Sequence, residues 1–551
     1  MTIIVHPKYD LVIADELRHI HLPLAVVGLL SHTFFIRHQH VDRLIGIYFL
    51  PYMCAELSLW TWLSIHNGMS ASATIILLSN ASLWAPLLVS MSVYRLFFHP
   101  LKNFPGPRMA RLTSWWGVRK IAMGANRYEL HDELHRKYGE IVRIAPNYLS
   151  VNSQEGVAAI YDTGTTCGKS NTFYGLRDAK SLQMETAADR HRARRPVWEE
   201  ALDNKKCQEY LPKLHHHTDL LASCIDKAGA KGKKGVLINH WLKCFVFDMV
   251  GDVGYSKSYN CLNSGSLHQG ILDLEKSLAK AVILWPLPWL VRIINSLPGM
   301  SNPMQAPINF AASNLGEWKV FKRNKGPDIL SCVFQGKSDL TYEEEVEDTM
   351  MLQIAASNTT VAALTFAMYY LSVNPEVQMA LRKEIEANAD VTNIASEAIQ
   401  GLPLLAGVID ETLRMHPSVP SGLPRLTSPE GLQLGGTYIP GKTTVSCPTW
   451  TIQRNPKHFS DPNTWNPFRW INPPENHNTK AFFPFSLGPY GCVGKAFAYM
   501  EMKQALAKLV TSFDFKIAPG HDENRVINES KDHTVYSCEP LWLKMETIAR
   551  E

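Results

Sequence analysis

At 551 residues, with 46% hydrophobic and 19% charged residues, the chain has a globular composition and enough length for one large domain or two or three ordinary ones. A formal net charge of +4 is small for this size and leaves no electrostatic footprint for nucleic acid. The ten cysteines include no CxxC pair and no even spacing, which argues against a disulfide scaffold or a zinc site and points to thiols in a reducing compartment.

Three apolar stretches occupy the first hundred residues. The first, 21–36, is short and contains His32; the second, Leu44 to Ile65, has Glu56 as its only charge; the third, Ala71 to Tyr94, has none. At 1.5 Å per residue the last two are long enough for a hydrocarbon core of about 30 Å. Arg37 and Arg43 lie between the first two stretches, and Arg95, Lys102 and Arg108 follow the third, while the loop His66 to Met69 has neither acid nor lysine. Basic loops stay on the cytosolic side. Residues 1–103 are therefore expected to form a membrane region with up to three transmembrane helices, about 21–36, 44–65 and 71–94, and a cytosolic remainder. A single anchor, the third stretch, is the simpler alternative. No small-residue cleavage site lies near the first stretch, which argues against a cleaved signal peptide.

"FHPLKNFPGPRMA" from Phe98 ends that region, because Pro105, Gly106 and Pro107 cannot continue a helix. "YGEIVRIAPNYLSV" from Tyr138 alternates and is rich in branched residues, which predicts strands of a small sheet. Helical patterns dominate from there on, without repeats or an obvious linker, so 104–551 reads as one domain. "VILWPLPWLVRIINSLPGM" from Val282 is apolar and broken by prolines; it reads either as a segment dipping into the membrane or as a core helix pair.

One helix stands out. Thr341 and Glu344 have capping-box spacing, and the pattern runs on to Asn374-Pro375, about 30 residues and on the order of 50 Å. Its centre, Met350 to Leu371, is uncharged like a membrane span. Gln353, Ser357, Asn358, Thr359 and Thr360 nevertheless cluster there, which favours a buried helix turning polar groups toward a cavity. Asn358-Thr359-Thr360 also matches a glycosylation sequon, an accidental match on a buried helix.

In "FSLGPYGCVGKAFA", Phe485 to Ala498, Cys492 stands among Gly488, Gly491 and Gly494, just before a strongly helical run. A lone cysteine is ordinarily a small buried hydrophobe. Here glycines clear space for something large and flat, and a helix N-terminus with free N–H groups stabilises a thiolate, a plausible way to hold a metal. The stretch resembles the haem-binding loop of the cytochrome P450 family, FxxGxRxCxG. It matches at Phe485, Gly488, Cys492 and Gly494 and departs at Tyr490, where the family usually has arginine.

Other segments extend the resemblance from about Phe104 to the C-terminus. Glu411 and Arg414 of "ETLR" would by spacing alone be an i,i+3 pair worth tenths of a kcal/mol at a surface. The resemblance, to the family's ExxR helix, implies a buried network with Arg469 of "NPFRW", where Phe468 replaces a glutamate. "AASNTT" resembles the oxygen-activating A-G-x-D/E-T-T: Thr359 takes the threonine position, and Asn358 replaces an acid and so cannot titrate. "ADRHRARRPVW" resembles the propionate-holding helix, with His191 and Arg195 as contacts, and Arg425 matches another propionate arginine. Tyr490 then reads as a tolerated variant, a neutral hydroxyl in place of a charged donor.

The resemblance implies a mainly α fold with a small β portion, haem b with Cys492 as axial ligand, and insertion of one oxygen atom from O2 into a lipophilic molecule. The phrasing is most like membrane-bound fungal members, which suggests a terpenoid, alkaloid or polyketide intermediate. Nothing after Cys492 is long enough for a flavin domain. A separate NADPH-cytochrome P450 reductase is therefore expected at the endoplasmic reticulum membrane, with cytochrome b5 as a further candidate donor and Lys495 as a docking residue or a plain solvated lysine. Two rival readings are a haem-thiolate isomerase or dehydratase that needs no O2, and a non-enzymatic haem carrier or sensor.

Overall fold

The computed structural model describes residues 20–36, 41–175, 180–284, 286–297, 302–321, 327–334, 339–390, 394 and 396–549. They fall into two compact units, one of residues up to 119 with 143–147 and 284–302, the other of the remainder.

The first unit contains helices α1 (Val41–Asn67) and α2 (Met69–Val93). A wider turn, Tyr94–Phe98, extends α2, and Met69–Phe98 is a 30-residue helix long and apolar enough to cross a membrane. Ile20–Phe34 is a shorter apolar helix. The second expected stretch is helical within α1, with Pro51 and Glu56 inside it. Glu56, its lone acid, accepts from Asn80 Nδ2 across the helix pair at 3.1 Å, and Tyr52 and Trp84 donate to Asn80 Oδ1, the pairing that an acid in an apolar segment requires. Arg37 and the side chain of Arg43 lie outside the described residues.

Past Phe98 the chain turns extended, as the prolines require, and Gly106 comes so close to Arg143 that a Cβ would meet its carbonyl oxygen at 2.2 Å. The helix Pro288–Ser296 packs against α1 in this unit, and Trp289 meets Trp115 edge to face at 6.4 Å. Trp285 and 298–300 of that apolar stretch lie outside the described residues.

The "YGEIVRIAPNYLSV" segment forms strands β1 (Ile141–Ala145) and β2 (Tyr148–Val151). Further strands are β3 (Gly168–Lys169), β4 (Gly235–Leu237), β5 (Arg425–Leu426), β6 (Thr444–Ser446), β7 (Phe513–Ile517) and β8 (Trp542–Thr547). Within the second unit β2 runs parallel to β6, β6 antiparallel to β5, and β5 antiparallel to β3 in a register that sets Lys169 opposite Arg425. β8 lies between β4 and β7.

Helices dominate this unit: α3 (Ala188–Ala201), α4 (Ile238–Tyr255), α5 (Tyr342–Ala355), α6 (Asn358–Val373), α7 (Pro403–Met415) and α8 (Lys495–Ser512) position the site. α6 is buried along nearly its whole length against α4, α7 and α8. The 342–373 segment is apolar enough for a membrane span, yet 72% of its most apolar window is buried, so it is a core helix. Its capping box forms, with Thr341 and Glu344 bonding reciprocally at 3.3 and 3.1 Å. The expected continuous helix is corrected in one respect: it breaks at Ala356–Ser357. Ser357 Oγ donates to the Gln353 carbonyl at 2.6 Å and Thr359 Oγ1 to that of Ala355 at 2.7 Å, so side chains compete for the carbonyls that continue a helix.

Candidate active site

The Cys492 loop is closed by its own backbone. Cys492 N–H donates to the Phe485 carbonyl at 2.9 Å, and the Phe485 ring lies 5.2 Å from that of Tyr499 on α8. Gly488 has φ 59° and sits so near Tyr161 that a Cβ would meet its carbonyl oxygen at 2.4 Å. Gly494 caps α8, and its N–H reaches the Cys492 sulfur. The sulfur is exposed locally but enclosed by protein at longer range. Desolvation therefore raises the thiol, outweighing the Gly494 N–H, Arg195 and Lys495, which lower it.

Beside the loop lies a cluster of cations. Arg195 donates from Nη1 to the Gly491 carbonyl at 2.9 Å and pairs through Nε with Glu199. Arg425 is 1% exposed; it donates to Tyr174 OH at 3.0 Å, and its Nε has no partner among the described residues. The Tyr490 ring faces the Arg425 guanidinium at 5.2 Å and the Lys169 amine at 5.3 Å, and stands 4.9 Å from the His191 ring. His191 is buried; burial, then Lys169 and the arginines around it, push its imidazole down to about 3. Among the described residues Arg425 and Lys169 pair with no carboxylate, so the cluster carries buried positive charge and unmet donors, the chemistry a dianion such as a haem's two propionates would satisfy. His191, Arg195 and Arg425 gather around Tyr490 and Gly491. Lys169 and Tyr174 were missed, because a lysine in a two-residue strand looks solvated until its register with Arg425 is known.

α3 is fixed to α5 by Arg194, whose Nη2 donates to Asp348 at 2.7 Å; the same carboxylate accepts from Leu182 N–H. Asn358 opens α6 and Thr359 follows, both half-buried. Ser418 donates to the Thr359 carbonyl at 2.8 Å. Among the described residues no hydrogen bond or ion pair joins Asn358 or Thr359 to the Cys492 loop.

The expected buried network is present in full. Glu411, with no exposed surface, accepts from Arg414 Nε and Nη2 and from Arg469 Nε, each at 2.9 Å. Asn466 N–H at 2.9 Å and Trp470 Nε1 at 3.0 Å complete its shell, two donors that spacing could not reveal. The remaining guanidinium donors go to carbonyls, among them Gln453, Pro462 and Ser460. Phe468, where the family has glutamate, is exposed and outside this shell.

Glu501 on α8 is 1% exposed, with Oε1 unpartnered among the described residues and Thr360 as its hydrogen-bond partner. Burial pushes its carboxyl from 4.5 up to about 8. Between those values the folded protein keeps a proton that the unfolded chain gives up, so stability falls as pH rises through the window, by up to about 1.4 kcal/mol per pH unit. Thermal unfolding between pH 5 and 8 should show that decline in the native protein and a flatter profile in Glu501→Gln.

The family model for Cytochrome P450 matches residues 105–540. A cytochrome P450 monooxygenase of Aspergillus versicolor, notG', is 32% identical over 465 residues, covering 82% of this chain and 83% of its own. A cytochrome P450 monooxygenase of Fusarium pseudograminearum, FCK2, is 28% identical over 518 residues, 90% of this chain and 91% of that one. The tryprostatin B 6-hydroxylase of Aspergillus fumigatus is 31% identical over 458 residues, 81% of each chain. A loop built around one cysteine, a buried Glu-Arg-Arg network and these matches agree: the chain belongs to the cytochrome P450 family, oxidoreductases that incorporate oxygen with a haem-thiolate cofactor.

Proposed function

We propose that this chain is a fungal monooxygenase of secondary metabolism that holds haem b through Cys492 and inserts one atom of O2 into a lipophilic substrate. The observation that carries this reading is the Cys492 loop beside a buried cation cluster short of anions. His191, Arg195 and Arg425 would hold the propionates; Phe485, Gly488 and Gly494 would shape the loop around the sulfur. Bound haem supplies the oxygen chemistry, its thiolate favouring O–O cleavage.

The rest falls to the chain's own side chains. Thr359 offers a hydroxyl at the start of α6, and Asn358, unable to titrate, would order a water that carries the proton. Glu411, Arg414 and Arg469 tie α7 to the 467–470 turn. Electrons would come from NADPH through a separate reductase, with cytochrome b5 as a second donor, docking on a basic face that includes exposed Lys495. Residues 1–103 would anchor the protein in the endoplasmic reticulum membrane with 104–551 cytosolic; the 30-residue apolar helix at Met69–Phe98 supports this.

Because one relative is named a tryprostatin B 6-hydroxylase, tryprostatin B is the first substrate to try, followed by a panel of terpenoids and polyketides. The protein in membranes with reductase and NADPH under 18O2 should yield a product carrying one 18O. Product formed without NADPH and O2 would instead establish an isomerase or dehydratase.

A further inference from the structure

We propose that Lys169 supplies, from strand β3, the propionate-holding charge that arginine at position 490 would bring, and that Tyr490 is uncharged because Lys169 occupies that role. This rests on the haem reading above. Lys169 is 6% exposed. Its ammonium donates to the carbonyls of Leu182 at 2.9 Å and Gln183 at 2.8 Å. An ammonium has three donors, so one direction remains for an anion. The amine lies over the rings of Tyr490 and Tyr174 at 5.3 and 5.5 Å, and its cross-strand neighbour is Arg425, whose guanidinium lies 5.2 Å from the centre of the Tyr490 ring and whose Nε has no partner among the described residues.

With a propionate holding the Lys169 proton, position 490 is a platform touched by two cations. An aromatic face there stabilises both, whereas an arginine would add a further like charge beside Lys169 and Arg425. Tyrosine at 490 and lysine at 169 form a matched exchange, which explains how the loop departs from the family pattern without losing the charge.

A consequence is a link between haem retention and protons. Burial, then Arg425 and more weakly Arg195 and Arg194, push the Lys169 amine down to about 6, and Glu185 opposes them. His191 and the Tyr174 and Tyr490 hydroxyls, the other titratable groups in the cluster, stay neutral across pH 6–8, since His191 lies near 3 and both phenols are pushed above 10. A propionate beside Lys169 restores its proton, so above pH 6 each haem bound takes up a proton and retention weakens as pH rises.

The test is haem transfer from the full-length detergent-solubilised holoprotein to excess apomyoglobin, followed in the Soret band at pH 6, 7 and 8. K169M should release haem about ten- to a hundredfold faster at pH 6, as expected for one lost charged hydrogen bond, with little pH dependence left. K169R, which does not titrate, should retain haem with a flat profile. The exchange variant K169M/Y490R should recover retention, which a merely misfolded K169M could not explain. K169M releasing haem at the native rate with the native pH profile, or K169M/Y490R no better than K169M, overturns the proposal. A native protein without a thiolate-type spectrum would overturn the haem-thiolate reading instead, so the two failures are distinguishable.

Discussion

Cys492→Ala is expected to abolish the strongly red-shifted Soret band of the reduced, carbon-monoxide-bound protein and to lower the monooxygenase rate more than about a thousandfold, above 4 kcal/mol of barrier. The sulfur sits at the end of a loop whose backbone is closed at Phe485 and whose Gly488 leaves no room for a side chain. Among the described residues no group of three or more His, Cys, Asp or Glu gathers to hold a metal elsewhere. The rest of the fold should survive, since truncating a locally exposed side chain opens no core cavity. The spectrum in membranes, beside a melting curve, checks both halves. A native-like band in the variant would assign the iron to another residue and remove the central claim.

Glu411→Ala is expected to cost about 3–5 kcal/mol or more, because it leaves the Arg414 and Arg469 guanidinium groups buried without their counter-ion. Against a typical total of about 5–15 kcal/mol this is enough to remove most folded, haem-loaded protein. Arg414→Lys should also be poorly tolerated: a lysine cannot make the two parallel bonds to Glu411 that Nε and Nη2 make. Arg525→Ala, which breaks surface ion pairs to Glu529 and Glu539 from an arginine that is 47% exposed, is the control and should change stability by less than about 1 kcal/mol. Yield of folded protein and denaturant midpoints would measure the contrast. Equal stability of Glu411→Ala and Arg525→Ala would mean that the network does not hold the fold.

Much of this was legible in the chain alone. The Cys492 loop, the Glu411–Arg414 spacing, the Thr341–Glu344 capping box and the proline stop after Phe98 each reside within a few consecutive residues, where glycine, proline and i,i+3 geometry act directly on the backbone. The same locality explains why the family resemblance from about Phe104 agrees with the matched span 105–540. What required the tertiary structure involves partners far apart in sequence or the summed effect of burial. Arg469 and Trp470 reach Glu411 across more than fifty positions. Lys169 meets Arg425 only through the β3–β5 register. The break at Ala356–Ser357 depends on which carbonyls the hydroxyls reach, and the protonation of Cys492, Lys169 and Glu501 depends on desolvation by residues from many elements. Local spacing dictates which groups a turn or loop presents. Long-range register and the dielectric around a buried charge decide which of those groups meet, and in what charge state.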